Sequence, residues 1–207
     1  MASPEQDAVP PRTGAAGARE ALDAELLRLM PRYQDADRAA ADALVLTAGP
    51  VLARYFYSLT GDTRLVEDLV QECWLRIHRA RQSYRRGEPV LPWLMAIARH
   101  TRVDQYRRWK RSSGRETGID GLVRQPSSDP RPGIENSLQA REVVAVLHRL
   151  PDSQREVLTM MKTNDMSVEE VALATGVSQA AVKQKAFRAY QAIRKALGVS
   201  RREENER

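Results

Sequence analysis

The pattern that most constrains the fold lies toward the C-terminal end, from Met166 to Leu197: MSVEEVALATGVSQAAVKQKAFRAYQAIRKAL. Ser167 stands three residues before Glu170, the spacing of a capping box, in which the two side chains satisfy backbone N–H groups at a helix start. The helix opened by this box, Val168 to Thr175, is short. Gly176 supplies the left-handed residue that ends it. Val177 folds back into the core and Ser178 caps a second helix. A short helix, a glycine turn and a capped helix make the helix-turn-helix layout. The second helix turns Ala181, Val182, Ala186, Ala189, Ile193 and Leu197 inward in part. It leaves Gln179, Lys183, Gln184, Lys185 and Arg188 outward. From Ser178 to Leu197 there are five cations and no acid. A plain helical hairpin with a cationic surface would also carry such a helix. The capping box, the Gly-Val-Ser turn and the all-cation run together favour the DNA major groove. There Gln can read adenine, and Lys or Arg can read guanine or hold phosphate.

The remaining chain is built from similar material. Aromatic residues make up 5% of its 207 positions, and no run of alternating Val, Ile, Thr and Tyr reads as a strand. The expected fold class is all-α, and the length suits two small helical domains. A net charge of +6 favours a polyanionic partner. The single cysteine, Cys73, excludes an intramolecular disulfide and a Cys-based zinc cluster. No apolar run has the length needed to cross a membrane, and the N-terminus has acids and prolines where a secretory signal needs a basic start. These features lead to the expectation of a soluble, cytoplasmic protein.

In chain order, residues 1–18 read as a disordered lead-in. Arg19 to Met30 has the spacing of a short amphipathic helix ended by Pro31. Arg38 to Leu59 is helical, with a kink or break expected at Pro50. Thr60-Gly61-Asp62 is a turn, and Asp62 or Thr63 can cap the next helix, Thr63 to Ala80. Its inward stripe is Leu65, Val66, Leu69, Val70, Cys73, Trp74 and Ile77. Gln82 to Leu91 is a loop broken by Gly87 and Pro89, and Pro92 is placed as the first residue of a helix reaching Arg111. Residues 112–133, rich in Ser, Gly, Pro and charge, read as a flexible linker between domains 19–111 and 134–197. The second domain opens with a helix from Glu135 to Leu150. Another helix runs from Ser153 to Lys162, with Val157, Leu158 and Met161 inward. A charged tail closes the chain at 198–207.

Two helix faces in the first domain carry opposite chemistry. The helix from Thr63 exposes Glu67, Asp68, Gln71 and Glu72, an acidic face in a basic protein. Such faces are usually only solvated; the functional alternative is docking of a basic protein, since this face repels DNA. The helix from Pro92 carries Trp93, Leu94, Ile97, Ala98 and Val103 on an apolar side and then Arg99, Arg102, Arg107, Arg108, Lys110 and Arg111. Only Asp104 opposes these cations within the helix, and Tyr106 and Trp109 interleave with them. Cations neutralise phosphates and flat rings stack on unpaired bases. This helix therefore reads either as a solvated basic face or as a holder of nucleic acid, including an unpaired strand.

Three stretches, EDLVQECWLRIHR (Glu67 to Arg79), PWLMAIARHTRVDQYRR (Pro92 to Arg108) and LPDSQREVLTMM with SVEEVALATGVSQAAVKQKAFRA (Leu150 to Ala189), resemble the sigma-70 family of RNA polymerase sigma factors, extracytoplasmic-function group. The resemblance spans about Leu44 to Leu197. It implies that Asp68, Gln71 and Glu72 dock on the coiled-coil clamp of the largest polymerase subunit, with the flap as a further contact. It implies that the loop Ser83 to Leu91 captures the non-template strand of the −10 element. Trp93 would aid melting, and Arg99, His100, Arg102, Arg107 and Arg108 would hold the strand. Gln179, Lys183, Gln184, Phe187 and Arg188 would read the −35 element of promoter DNA. It further implies no cofactor, and an anti-sigma factor, membrane-bound or not, as partner in a stress- or envelope-responsive regulon. His100 stands where many relatives have Asn, and Ala181 and Gln184 replace a common Thr and Ser, so the promoter sequence does not carry over.

Other classes fit less well. His78, His100 and His148 are far apart, and no phosphate loop, metal triad or nucleophile elbow occurs, which argues against an enzyme. A stand-alone regulator shares the helix-turn-helix but has no need of the acidic face or the aromatic-basic helix. A pure adaptor is favoured by the acidic face alone.

Overall fold

The computed structural model describes residues 15–112, 146–147 and 149–196. Every regular element among them is helical: α1 Ala15–Gln34, α2 Arg38–Thr60, α3 Thr63–Ala80, a 3-10 turn Arg81–Ser83, α4 Val90–Ser112, α5 Asp152–Leu158, a π turn Thr159–Thr163, α6 Val168–Thr175 and α7 Gln179–Ala196. Residues 113–133 of the expected linker, most of the helix Glu135 to Leu150 and the tail 198–207 lie outside the described residues, and Ser112, expected in the linker, ends α4. None of the described helices is long and apolar enough to cross a membrane.

The first four helices form one group around Leu26, Leu44, Leu52, Tyr55, Phe56, Ile77, Leu91, Leu94 and Met95, all fully buried. Neither proline in this group ends its helix, and for one reason. Pro31 does not stop α1, and of the kink or break expected at Pro50 the break does not occur, since α2 runs through it. A proline denies one carbonyl its N–H partner and crowds it with the ring, at a cost of about 3 kcal/mol or more. After Pro31, Tyr33 and Gln34 are both buried at 7% exposure. The Tyr33 hydroxyl lies 2.9 Å from His78 Nδ1. After Pro50, Val51, Leu52, Tyr55 and Phe56 continue the buried stripe. Burial on that scale outweighs the lost hydrogen bond. The helix α1 also begins at Ala15, inside the stretch read as lead-in.

Caps set the remaining boundaries as the sequence reading places them. Asp62 accepts hydrogen bonds from the backbone N–H groups of Arg64 and Leu65 and starts α3. Ser167 Oγ accepts from Glu170 N at 3.1 Å while Glu170 Oε2 accepts from Ser167 N at 2.7 Å, so the capping box is complete. Gly176 closes α6 at φ 70°. Ser178 Oγ accepts from Ala181 N at 3.2 Å and caps α7.

The helix expected from Ser153 to Lys162 changes character midway. The α-helical part ends at Leu158 and the chain widens into the π turn. Within that turn Met160 is fully buried, whereas Met161, expected inward, is only partly so. The two helical groups are in direct contact. The helix α6 packs on α4 and the π turn packs on α2. Val157, Met160, Met166, Val171, Ala174, Val182 and Ala186 belong to the same continuous apolar cluster as the first group.

Candidate nucleic-acid and protein interfaces

Helix α3 presents its acidic side away from the core. Val66, Leu69, Cys73 and Ile77 are buried, while Glu67, Asp68 and Gln71 are exposed. Glu72 differs from its neighbours. Arg76 donates from Nε to Glu72 Oε1 at 2.9 Å and from Nη1 to Asp104 Oδ2 at 2.7 Å. This guanidinium holds both carboxyls below the usual carboxylate range. Asp104 is thereby committed to Arg76 on the neighbouring helix, and its bond with Arg107 is the longer one, at 4.0 Å. The sequence reading missed Leu75, which is 53% exposed. It stands seven residues after Asp68, so the two share a face. A large apolar residue one turn after Gln71 and Glu72, on the face that carries Asp68, was the available signal.

Cys73 is fully buried behind that face. Burial pushes its thiol up to about 12, against a hydrogen bond with Thr101 that works the other way. The thiolate is the reactive form, so native protein at pH 8 is expected to react with a water-soluble disulfide reagent only after unfolding. Stoichiometric labelling at the rate of an unfolded control would contradict the burial.

The loop before α4 is held by one residue of α1. Gln34 donates from Nε2 to the carbonyls of Arg81 at 2.9 Å and Tyr84 at 2.8 Å. Its Oε1 accepts from Arg86 Nε at 3.1 Å, and its backbone carbonyl accepts from Gln82 at 2.8 Å. The Tyr84 hydroxyl donates to the carbonyl of Glu88. Gly87, at φ 90°, makes the bend between them. The helix starts at Val90, two residues before the expected Pro92. Half-buried Trp93 meets the Tyr84 ring edge-on, with centroids 5.7 Å apart.

The basic residues of α4 fall on two faces. Trp93, His100 and Arg107 stand seven apart and share one side. His100 and Arg107 are exposed there. Arg108, also exposed, lies 3.9 Å from Glu72. Arg99 and Arg102 occupy the other side and reach the second helical group, which the sequence reading did not anticipate. Arg99 Nε lies 3.2 Å from Glu156 Oε2. Arg102 lies 3.3 Å from Asp152 Oδ2 and 3.5 Å from Glu156 Oε1. The Tyr55 hydroxyl donates to Glu156 Oε1 at 2.9 Å. Burial, and then the Glu156 carboxylate, hold the Tyr55 phenol well above its ordinary range, so it keeps its proton.

On α7, Gln179, Lys183, Gln184 and Arg188 are exposed as expected, Phe187 is exposed with them, and Lys185, also expected outward, is half-buried. Phe187 is 61% exposed, a large apolar side chain held in solvent. Val182, Ala186 and Ala189 anchor the opposite side.

The family model Sigma-70 region 2 matches residues 44–112 and Sigma-70, region 4 matches residues 140–193. The ECF RNA polymerase sigma factor SigF of Caulobacter vibrioides is 30% identical over 174 residues, 83% of this chain and 93% of that protein. The chain belongs to the ECF RNA polymerase sigma factors. The sigma factor CarQ of Myxococcus xanthus is 28% identical over 173 residues, covering 82% of this chain and 95% of CarQ. Among solved structures, the sigma factor RpoE of Bartonella quintana, crystallised with the anti-sigma factor NepR, aligns at a TM-score of 0.64 and 26% identity, over 77% of this chain and 98% of RpoE. In this sigma factor the region 2 match takes in α3 and α4 with their acidic and basic faces. The region 4 match takes in α5, α6 and most of α7. Helix α1 precedes both matches.

Proposed function

We propose that this sigma factor binds core RNA polymerase in the cytoplasm and directs initiation at the promoters of one regulon, under the control of an anti-sigma factor. The observation that carries the reading is one chain bearing three exposed chemistries in order: an acidic-apolar protein face, a basic-aromatic helix and a capped reading helix. A stand-alone duplex regulator needs the last of these only. Domain 19–111 takes the clamp and the −10 strand, and domain 134–197 takes the −35 duplex and the flap side.

Asp68 and Gln71 meet the clamp, and Glu72 serves that face from its bond with Arg76. The loop Ser83 to Leu91 and Trp93 border the melted strand. His100, Arg107 and Arg108 are open to its phosphates, and Arg99 and Arg102 join them once separated from Glu156. Lys183, Gln184, Phe187 and Arg188, with Gln179 at the helix start, read the −35 element. The relative crystallised with an anti-sigma factor supports control by such a partner here.

The test is transcription by sigma-free core polymerase on a genomic DNA pool, with transcript starts sequenced. New starts sharing two upstream motifs are the expected result. Absence of new starts, with tight binding of the protein alone to one duplex site, would support the regulator instead. On a promoter so found, Lys183→Ala and Arg188→Ala are each expected to weaken −35-dependent initiation by about 1–3 kcal/mol if the cation reads a base. Unchanged initiation in both would remove α7 from the reading.

A further inference from the structure

We infer that Gln34 of α1 is a positioning residue for promoter choice: its carboxamide fixes the loop Ser83 to Leu91, and through Tyr84 the Trp93 ring, in the arrangement that selects a −10 base. The inference rests on the assignment of that loop to the −10 strand. It extends the reading machinery to a helix that precedes both family matches.

Gln34 is buried, yet both polar atoms of its side chain are spent on the chain around the loop. Nε2 faces the carbonyls of Arg81 at 2.9 Å and Tyr84 at 2.8 Å, which can only accept. Oε1 faces Arg86 Nε at 3.1 Å, which can only donate. Partners of these two kinds leave one orientation for the amide. The Gln34 backbone carbonyl accepts from Gln82 Nε2 at 2.8 Å, and the next residue, Asp35, pairs with Arg86. The end of α1 thus holds residues 81, 82, 84 and 86 together.

From Tyr84 the constraint passes in two directions. The Tyr84 hydroxyl donates to the carbonyl of Glu88, across the bend at Gly87. The Tyr84 ring meets Trp93 edge-on at 5.7 Å. Tyr84 itself is 4% exposed, whereas the other residues from Ser83 to Pro89 are exposed. The loop therefore has one buried anchor and an open rim. Unpaired bases are told apart by groups that meet their edges, and such groups discriminate only when already held in place. Gln34 supplies that hold from the side away from the rim.

Two substitutions separate the hydrogen bonds from the size of the side chain. Gln34→Glu keeps the length and the acceptor for Arg86, but sets a carboxylate oxygen against two carbonyl oxygens where an N–H donor stood. Gln34→Met keeps the length, removes the bonds and adds no charge, should the buried carboxylate compromise folding. Leu22→Ala is the control. Leu22 packs on the core about 18 Å up the same helix, so its loss lowers stability without reaching the loop.

The experiment uses holoenzyme formed from sigma-free core polymerase and each full-length variant. A promoter found in the genomic pool is randomised across its −10 and −35 elements, and the transcripts are sequenced. Affinity for core polymerase is measured alongside. In both Gln34 variants, discrimination between favoured and disfavoured bases is expected to fall by about tenfold at one or more −10 positions, less than the roughly hundredfold that a misplacement of about 1 Å can cost a preorganised site. Preferences at −35 and core affinity are expected to stay as in the wild type, and Leu22→Ala to keep the wild-type −10 profile.

An unchanged −10 profile in the variants that fold would overturn the inference. So would a loss of preference at −10 and −35 together, or an equal loss in Leu22→Ala, since Gln34 would then be a structural part and nothing more. Wild-type holoenzyme that starts no transcripts is a separate outcome: it is the failure of the initiation reading itself, and the inference falls with it.

Discussion

Asp68→Lys combined with Leu75→Asp is expected to abolish binding to core RNA polymerase while leaving thermal unfolding almost unchanged. Asp68 is exposed and Leu75 is 53% exposed, so neither side chain holds the fold. An exposed leucine two turns along the same face from an exposed acid offers an apolar contact with a polar rim. If each supplies about 2 kcal/mol, losing both weakens binding on the order of 10³-fold. The reversal extends to repulsion from a basic partner. Glu72 is the wrong residue for this experiment. Its replacement by Lys would set a third cation beside Arg76 and Arg108 and disturb the α3–α4 joint, so lost binding would not report on docking. Titration calorimetry against sigma-free polymerase gives the answer, and wild-type affinity in the double variant would remove the docking assignment.

The largest stability effect is expected at Phe56. It is 0% exposed and meets Tyr55 edge-on at 5.4 Å. Phe56→Ala removes a ring from the centre of the first domain and leaves a cavity, at a cost of about 3–5 kcal/mol. Domains of this size have only about 5–15 kcal/mol in total. The variant should therefore unfold at far lower urea than the wild type, or fail to accumulate. A loss below about 1 kcal/mol would mean that the core collapses around the gap.

Local signals carried much of this fold. Asp62, Ser167, Glu170, Gly176 and Ser178 act within a few residues of themselves, so their roles were readable from spacing. The exposed set on α7 was readable for the same reason, since one helical period decides which residues face out. What escaped depends on distant partners. Pro31 and Pro50 look like stops until the burial of Tyr33, Gln34, Tyr55 and Phe56 is known. Arg155 and Glu156 look like an exposed charged pair, yet they are 3% and 5% exposed, because Glu156 finds its partners on α2 and α4. Gln34 gives no sign in the sequence that it orders a loop some fifty residues later. The π turn left no signal either, and Met160 rather than Met161 is the fully buried methionine in it. Among the site residues, the period of α4 gave its cations but not their division between open solvent and a second domain.

The shared apolar cluster has a bearing on how the protein survives between synthesis and use. Parting α6 from α4, and the π turn from α2, uncovers apolar side chains on both halves at once. Large uncovered apolar patches drive self-association. An opened molecule with no polymerase to receive it is therefore a candidate for aggregation, whereas the closed one keeps those surfaces dry against each other. On this view closure is a storage form: the factor can be held in excess at low risk of precipitation, and its sticky surfaces appear only where a larger assembly is ready to cover them.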